Sequence, residues 1–387
     1  MKAICGARAV LPGRVVKDAV ILYENGKIVD VGEKLPIPEG AEVIDAKGAY
    51  VGPGFVDIHV HGSGPDCSRW EEDPAAVAAY HLKHGTTSIN AYLGYGHSVE
   101  ETLEETRFVQ GVIDSGAAPS VLGVGYEGPY INPECGAASH ANARSGPDPE
   151  EYEAILDICH GYLVQWMYAP EMDKDGSFGK WLSEKGIVAA VGHTKASPDE
   201  IRKAVDQGAR IATHLFDAMG CHLGNESVEI TGIIQDTAAV GCLLCPELVY
   251  EIIPDSLGMH VKPSNMKLVY QLAGPHRIAI ITDSTTRPYD PEDYPEGSMR
   301  HILDLNFNED GELSGSALSM DQAVRNFAKH TGAPVQDLFL MAATTPAKAV
   351  RVDDRVGSIT AGREANFVFL DDDYNVLKVI FRGEAVE

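Results

Sequence analysis

Two histidines separated by a single residue, His59 and His61, end an extended segment near the start of the chain. In a strand, alternate side chains point to opposite faces, so Asp57 shares one face with both histidines while the intervening aliphatic residues take the other. Two imidazoles at this spacing can hold one metal ion. The chain has 14 histidines, so a chance pair is common and the pair alone predicts little. We interpret Asp57, which lies deeper on this face, as structural.

Four further candidate ligands each come directly after a short apolar run. The carboxyl ends of parallel barrel strands open on one face, so we expect these side chains to meet there. Any one of them alone could be an ordinary core or rim residue, but their joint recurrence predicts a metal site. They are Glu127 after 121–126, His193 after 187–192, His214 after 210–213 and Asp283 after 278–282.

Imidazole nitrogens together with a carboxylate oxygen suit zinc or a similar divalent first-row ion that keeps one coordination place for water. Such an ion lowers the pKa of its water to about 7. Asp283, besides being a candidate ligand, is predicted to take a proton from the attacking water and to pass it to the leaving amine. The pattern therefore predicts metal-dependent hydrolysis of an amide.

The middle of the chain alternates strand-like and helix-like segments, which indicates βα units. Eight such units need about 250 residues or more, which fits the roughly 290 available here. We predict an α/β fold, a (β/α)8 TIM-type barrel. The helix-like segments are 74–84, 98–115, 149–159, 197–207 and 319–330, and the strand-like ones are 86–92, 121–126, 187–191, 209–213 and 278–282.

Both chain ends have short strand-like runs instead. Asn25-Gly26 between two such runs is a strong hairpin signal. We predict that residues 1–52 and 348–387 form one small β-sandwich domain and that residues 53–347 form the barrel.

Composition limits the partners. The 31 Lys and Arg against 57 Asp and Glu give a formal charge of -26, which repels a phosphate backbone and predicts no nucleic-acid partner. Apolar runs are far shorter than the roughly 18 residues of a membrane span, and the start lacks a signal-peptide pattern. The seven scattered cysteines fit a reducing compartment, and Cys242 and Cys245 are interpreted as buried inert thiols. We therefore expect a cytoplasmic protein with no membrane partner.

These residues, in this order, resemble the amidohydrolase superfamily and, within it, the N-acetylglucosamine-6-phosphate deacetylases. The resemblance implies that Glu127, His193 and His214 bind the principal metal and that Asp283 is the catalytic acid and base. It spans nearly the whole chain and rests on residues 52–57, 127–133, 192–194, 213–219, 282–283 and 315–326.

The resemblance also implies roles outside the principal metal set. Some members replace the His59 and His61 pair and work with one metal, so its presence here implies one or two ions, with Glu127 bridging them. His140 corresponds to a catalytic histidine that contacts the acyl oxygen of the substrate, and His260 to a histidine on the phosphate side. Members are often dimers, which implies a homodimer.

The chain departs from the family where the sugar and its phosphate would bind. The family has asparagine at the position of Asp217 and an arginine near Asn225 and Glu226, whereas residues 220–229 contain no arginine. We assign Asp217, Asn225 and Glu226 to substrate binding. A carboxylate 4 Å from a like charge is repelled by about 4 kcal/mol at an effective dielectric near 20, so phosphate recognition is left open.

The sequence thus predicts an enzyme that removes an acetyl group from a small amino sugar, with N-acetylglucosamine-6-phosphate as the first candidate substrate. One alternative is an amidohydrolase acting on a different N-acyl or cyclic amide compound, with or without a phosphate. Another is a non-catalytic metal-holding sensor of a ligand. The presence of Asp283 beside a full ligand set argues against the sensor, because a sensor needs no proton shuttle.

Overall fold

The computed structural model describes residues 1–64, 68–94, 98–136, 143–220 and 236–387. The strands are β1 Lys2–Leu11, β2 Arg14–Glu24, β3 Lys27–Glu33, β4 Glu42–Asp45, β5 Tyr50–Pro53, β6 Phe55–Val60, β7 Thr86–Leu93, β8 Val121–Glu127, β9 Leu163–Tyr168, β10 Val188–Val191, β11 Ala209–Ala212, β12 Val249–Ile252, β13 Ile278–Ile280, β14 Leu305–Phe307, β15 Leu313–Ser316, β16 Phe367–Leu370, β17 Val376–Phe381 and β18 Glu384–Ala385. The α-helices are α1 Pro74–Lys83, α2 Val99–Ser115, α3 Pro149–Cys159, α4 Ser177–Lys185, α5 Pro198–Gln207, α6 Ala238–Leu243, α7 Pro263–Ala273, α8 Met320–Thr331, α9 Val335–Phe339 and α10 Thr345–Ala349. Single 3-10 turns lie at Pro170–Met172, Pro275–Arg277, Pro291–Asp293 and Met299–His301, and a π-helical turn, Leu340–Thr344, joins α9 to α10.

Eight parallel strands, β6 to β13, form one sheet in chain order. A helix follows each strand, and every residue of β6 and β7 is buried, as expected of parallel strands covered by helices. A parallel bridge between Val60 and Ser284 links the first strand to the segment after the last. This nearly closed ring confirms the predicted α/β fold and TIM-type barrel.

The two chain ends build a second sheet of eight strands from β1–β5 and β16–β18. Strand β5 joins the two ends, since it pairs parallel with β1 and antiparallel with β16. The predicted hairpin lies between β2 and β3, where Asn25 and Gly26 have φ values of 51° and 72°. Both lie in the left-handed region that this tight turn requires. The pairing of the ends is therefore confirmed, while the exact domain boundaries stay a prediction.

Two barrel strands, β9 and β12, are additions to the strand-like segments found in the sequence. Strand β12 has the sequence Val-Tyr-Glu-Ile, in which the carboxylate of Glu251 interrupts the apolar run although the side chain is fully buried. A short segment with an internal charge gives only a weak strand signal. In the described parts of the chain, every helix is too short or too polar to cross a bilayer.

Candidate active site

Three of the predicted site residues lie two or three residues after barrel strands, where the backbone turns out of the sheet. His193, His214 and Asp283 have φ values of 43°, 28° and 49°. A residue other than glycine is strained in this region by about 1 kcal/mol or more, and such residues concentrate at functional sites. The barrel therefore holds these side chains at its mouth in a conformation that local preference alone would not select.

One carboxylate oxygen lies between two histidines. Glu127 Oε1 is 2.8 Å from His193 Nε2 and 2.9 Å from His214 Nε2. All three side chains are nearly buried. Two imidazoles and one carboxylate oxygen directed at a common point form a donor set that suits zinc and similar divalent ions.

The second oxygen of the same carboxylate faces the other predicted pair. Glu127 Oε2 is 2.8 Å from His61 Nε2, and Asp283 Oδ1 lies 3.4 Å from His61 Nε2 and 3.6 Å from His59 Nε2. The Nε2 atoms of His59 and His61 are 3.2 Å apart. This second cluster also fits a divalent ion, and Glu127 belongs to both clusters. The structure thus brings together all six predicted metal ligands.

The outer ring nitrogens of three of these histidines are held by acceptors. His193 Nδ1 lies 2.7 Å from the carbonyl oxygen of Cys135, and His214 Nδ1 lies 3.3 Å from that of Asp217. His59 Nδ1 lies 3.2 Å from a carboxylate oxygen of Glu251. An acceptor at each Nδ1 favours a hydrogen on that nitrogen, which would leave each Nε2 lone pair directed toward a bound ion. Glu251 is not predictable from the sequence, since nothing local links it to His59.

Burial and neighbouring charges shift the pKa values of the predicted ligands in opposite directions. Burial alone would raise the pKa of Glu127, but His193, His214 and His59 lower it well below its ordinary value. Burial would lower the pKa of His214, yet the hydrogen bond and charge of Glu127 raise it to about 9. The pKa of His59 is likewise raised against burial, first by the charge of Asp283. The site therefore favours positive charge between its carboxylates.

The clusters lie at the base of a cavity of about 240 Å³. Predicted residue Asp217 lines it. His260 is buried beside it, with Nδ1 3.0 Å from Asp255 and Nε2 3.1 Å from the carbonyl oxygen of Gly315, which lines the cavity. Three predicted residues, His140, Asn225 and Glu226, lie outside the described residues. The described lining also includes Arg69, Glu71, Tyr92, Gly94, Thr285, Leu313 and Ser314.

Arg69 is a second site residue that was not predicted from the sequence. Its Nε donates to Thr286 Oγ1 at 2.9 Å, and its guanidinium lies 3.6 Å from a carboxylate oxygen of Glu71. Of the arginines and lysines in the described ranges, it is the one that lines the cavity. Its position eight residues after His61 was the available signal, but a lone arginine in a loop has no recognisable pattern.

Comparison with known proteins identifies the chain's relatives. Residues 50–386 match the amidohydrolase family. The chain belongs to the amidohydrolase family. Membership makes it a metal-dependent hydrolytic enzyme, which agrees with its two ligand clusters and leaves the sensor hypothesis without support.

The most similar curated and solved relatives of this amidohydrolase include several deacetylases. It is 30% identical to the N-acetylglucosamine-6-phosphate deacetylase of Bos taurus, over 97% of this chain and 90% of that protein. It is 27% identical to the enzyme of the same name from Bacillus subtilis, over 97% and 94%. The Mycobacterium smegmatis enzyme, a mutant solved with N-acetyl-D-glucosamine-6-phosphate, has a TM-score of 0.83 at 27% identity and covers 100% of this chain and 99% of its own.

Proposed function

We propose that this amidohydrolase removes the acetyl group from N-acetylglucosamine-6-phosphate. The observation that carries the proposal is the convergence of Glu127, His193 and His214, with Asp283 beside them at the base of a small cavity. The proposed substrate is the one that the similar deacetylases act on or bind.

Glu127, His193 and His214 would hold the principal ion, and His59, His61 and Asp283 would share Glu127 with a second one. We propose zinc for both, since nitrogen and carboxylate donors suit it. When bound, such ions polarise the carbonyl group of the substrate and lower the pKa of water. Because their outer nitrogens are held by acceptors, the imidazoles would be oriented for metal binding before an ion arrives.

Asp283 is the proposed acid and base. Its carboxylate faces the cavity, with Oδ1 3.4 Å from His61 Nε2 and 3.6 Å from His59 Nε2. From this position it can take a proton from the attacking water and deliver it to the amine nitrogen as the C–N bond breaks. The amine needs this proton because it cannot leave as an anion. His140 keeps its proposed role against the acyl oxygen.

We propose that the sugar binds in the same cavity. Asp217 lines it, and its Oδ1 accepts the backbone N–H of Ala218 at 3.1 Å. We propose that its Oδ2 accepts a sugar hydroxyl. His260, Asn225 and Glu226 stay proposed substrate-binding residues. The homodimer and the cytoplasmic location also stay predictions.

The decisive experiment is acetate release from N-acetylglucosamine with and without a 6-phosphate, using zinc-loaded protein. We expect the phosphorylated sugar to be hydrolysed with the higher kcat/KM. The acidic lining residues Glu71 and Asp217 support a second candidate, hydrolysis of an unphosphorylated N-acyl compound. Faster release from the unphosphorylated sugar would favour that candidate, and release from neither sugar would reject deacetylation of N-acetylglucosamine in either form.

Arg69 is the proposed partner of the phosphate, in place of the arginine that residues 220–229 lack. A hydrogen bond to a charged group contributes about 1.5–3 kcal/mol, so Arg69→Ala should raise KM for the phosphorylated sugar by about 10- to 100-fold. The unphosphorylated sugar should be little affected. Steady-state kinetics on both sugars measures this, and Arg202→Ala, on the exposed face of α5, is the matched control. Equal losses on both sugars would contradict a phosphate contact.

A further inference from the structure

The two ligand clusters differ in what orients their histidines. In the principal cluster, His193 and His214 lie against backbone carbonyl oxygens, which are present whatever side chains the chain carries. In the second cluster, His59 instead depends on the side chain of Glu251. The orientation of this one imidazole is therefore set by a side chain that a single substitution can remove.

Glu251 is fully buried, and each of its oxygens has a donor. Oε2 lies 3.2 Å from His59 Nδ1, and Oε1 accepts from Gln165 Nε2 at 3.0 Å. The same Gln165 nitrogen lies 2.9 Å from the hydroxyl of Tyr92. An amide nitrogen has two hydrogens, so this geometry uses both of them and fixes the orientation of Gln165. Glu251 is thereby held as an acceptor for His59.

The aromatic ring of Tyr92 closes the arrangement. Its centroid is 4.0 Å from that of His59, so the ring packs along one side of the imidazole while Glu251 holds one end. We propose that Glu251, held by Gln165, is the positioning residue that enables the second metal ion to bind. It would do so by fixing the hydrogen of His59 on Nδ1 and leaving Nε2 free to bind. This inference rests on the two-ion part of the proposed function.

The Glu251→Gln substitution tests this idea at constant size. A glutamine that keeps its contact with Gln165 turns its own NH₂ group toward His59 and forces the imidazole hydrogen onto Nε2. A glutamine that turns the other way is a neutral and weaker acceptor. Either arrangement weakens the binding of one ion and leaves the cluster of Glu127, His193 and His214 intact.

The measurement is a Zn²⁺ titration of metal-free protein, with bound metal counted by mass spectrometry. The wild type should bind two ions, whereas Glu251→Gln should bind one with unchanged affinity and the other about 10- to 100-fold more weakly. Glu151→Gln is the matched control. Its buried carboxylate contacts Arg144 and Tyr130 rather than a ligand, so both ions should be retained.

A double-substituted protein separates positioning from general damage. If Glu251 acts only through His59, adding Glu251→Gln to His59→Asn should change zinc binding no further. If the Glu251→Gln protein does not fold, Gln165→Leu provides a second test. It should weaken the binding of the same ion by a smaller factor. The inference would be overturned if the folded variant bound both ions with unchanged affinity or bound both more weakly by the same factor. It would also be overturned if the wild type bound only one ion. Because zinc binding is measured without substrate, failure of the deacetylase assignment would be seen separately.

Discussion

Replacing Glu127 by glutamine is expected to cause a large loss of activity, because this one side chain belongs to both ligand clusters. Its two oxygens face different histidine pairs, at 2.8 Å from His193 and 2.8 Å from His61. The NH₂ group of an amide has no lone pair for a metal, so a glutamine can serve one cluster at most. Loss of the metal's charge stabilisation, several kcal/mol, should lower acetate release by more than about a thousandfold.

Metal content should fall with activity in this variant. Mass spectrometry of the purified protein should find at least one ion fewer per chain than in the wild type. Glu151→Gln again provides the control, because it makes the same chemical change at a buried carboxylate outside both clusters. A Glu127→Gln protein that kept its full metal content would contradict the shared-carboxylate arrangement.

Replacing Asp283 by asparagine should separate chemistry from metal binding. The cluster of Glu127, His193 and His214 does not include Asp283, so at least the principal ion should remain. An amide cannot take up and return a proton at neutral pH, and general acid–base catalysis contributes about 10²- to 10⁴-fold. We therefore expect kcat to fall by that range in acetate-release kinetics, with metal content measured in the same sample.

Asp354→Asn, an exposed change in a turn far along the chain, controls for the loss of a negative charge. It should leave kcat unchanged. Full activity in Asp283→Asn would remove the proposed proton transfer, and loss of all metal would show that Asp283 acts chiefly as a ligand.

The sequence by itself determined the parts of this protein that local pattern encodes. Alternation along 54–62 placed His59 and His61 on one face, and apolar runs ended at Glu127, His193, His214 and Asp283. Since strand ends meet on one face of a barrel, these patterns sufficed to predict both the fold and a shared metal site. The Asn25-Gly26 hairpin was predictable for the same reason, because backbone preference decides that turn.

Tertiary structure alone decided the contacts between distant segments. Glu251 lies 192 residues from His59 and became its partner only when β12 and β6 took their places around the ring. Arg69 likewise lies at the cavity beside Thr286, which is 217 residues away in the sequence. Periodicity shows which face a side chain takes, but not which side chain lies opposite. The physical reason is that barrel closure, rather than local preference, brings these residues together.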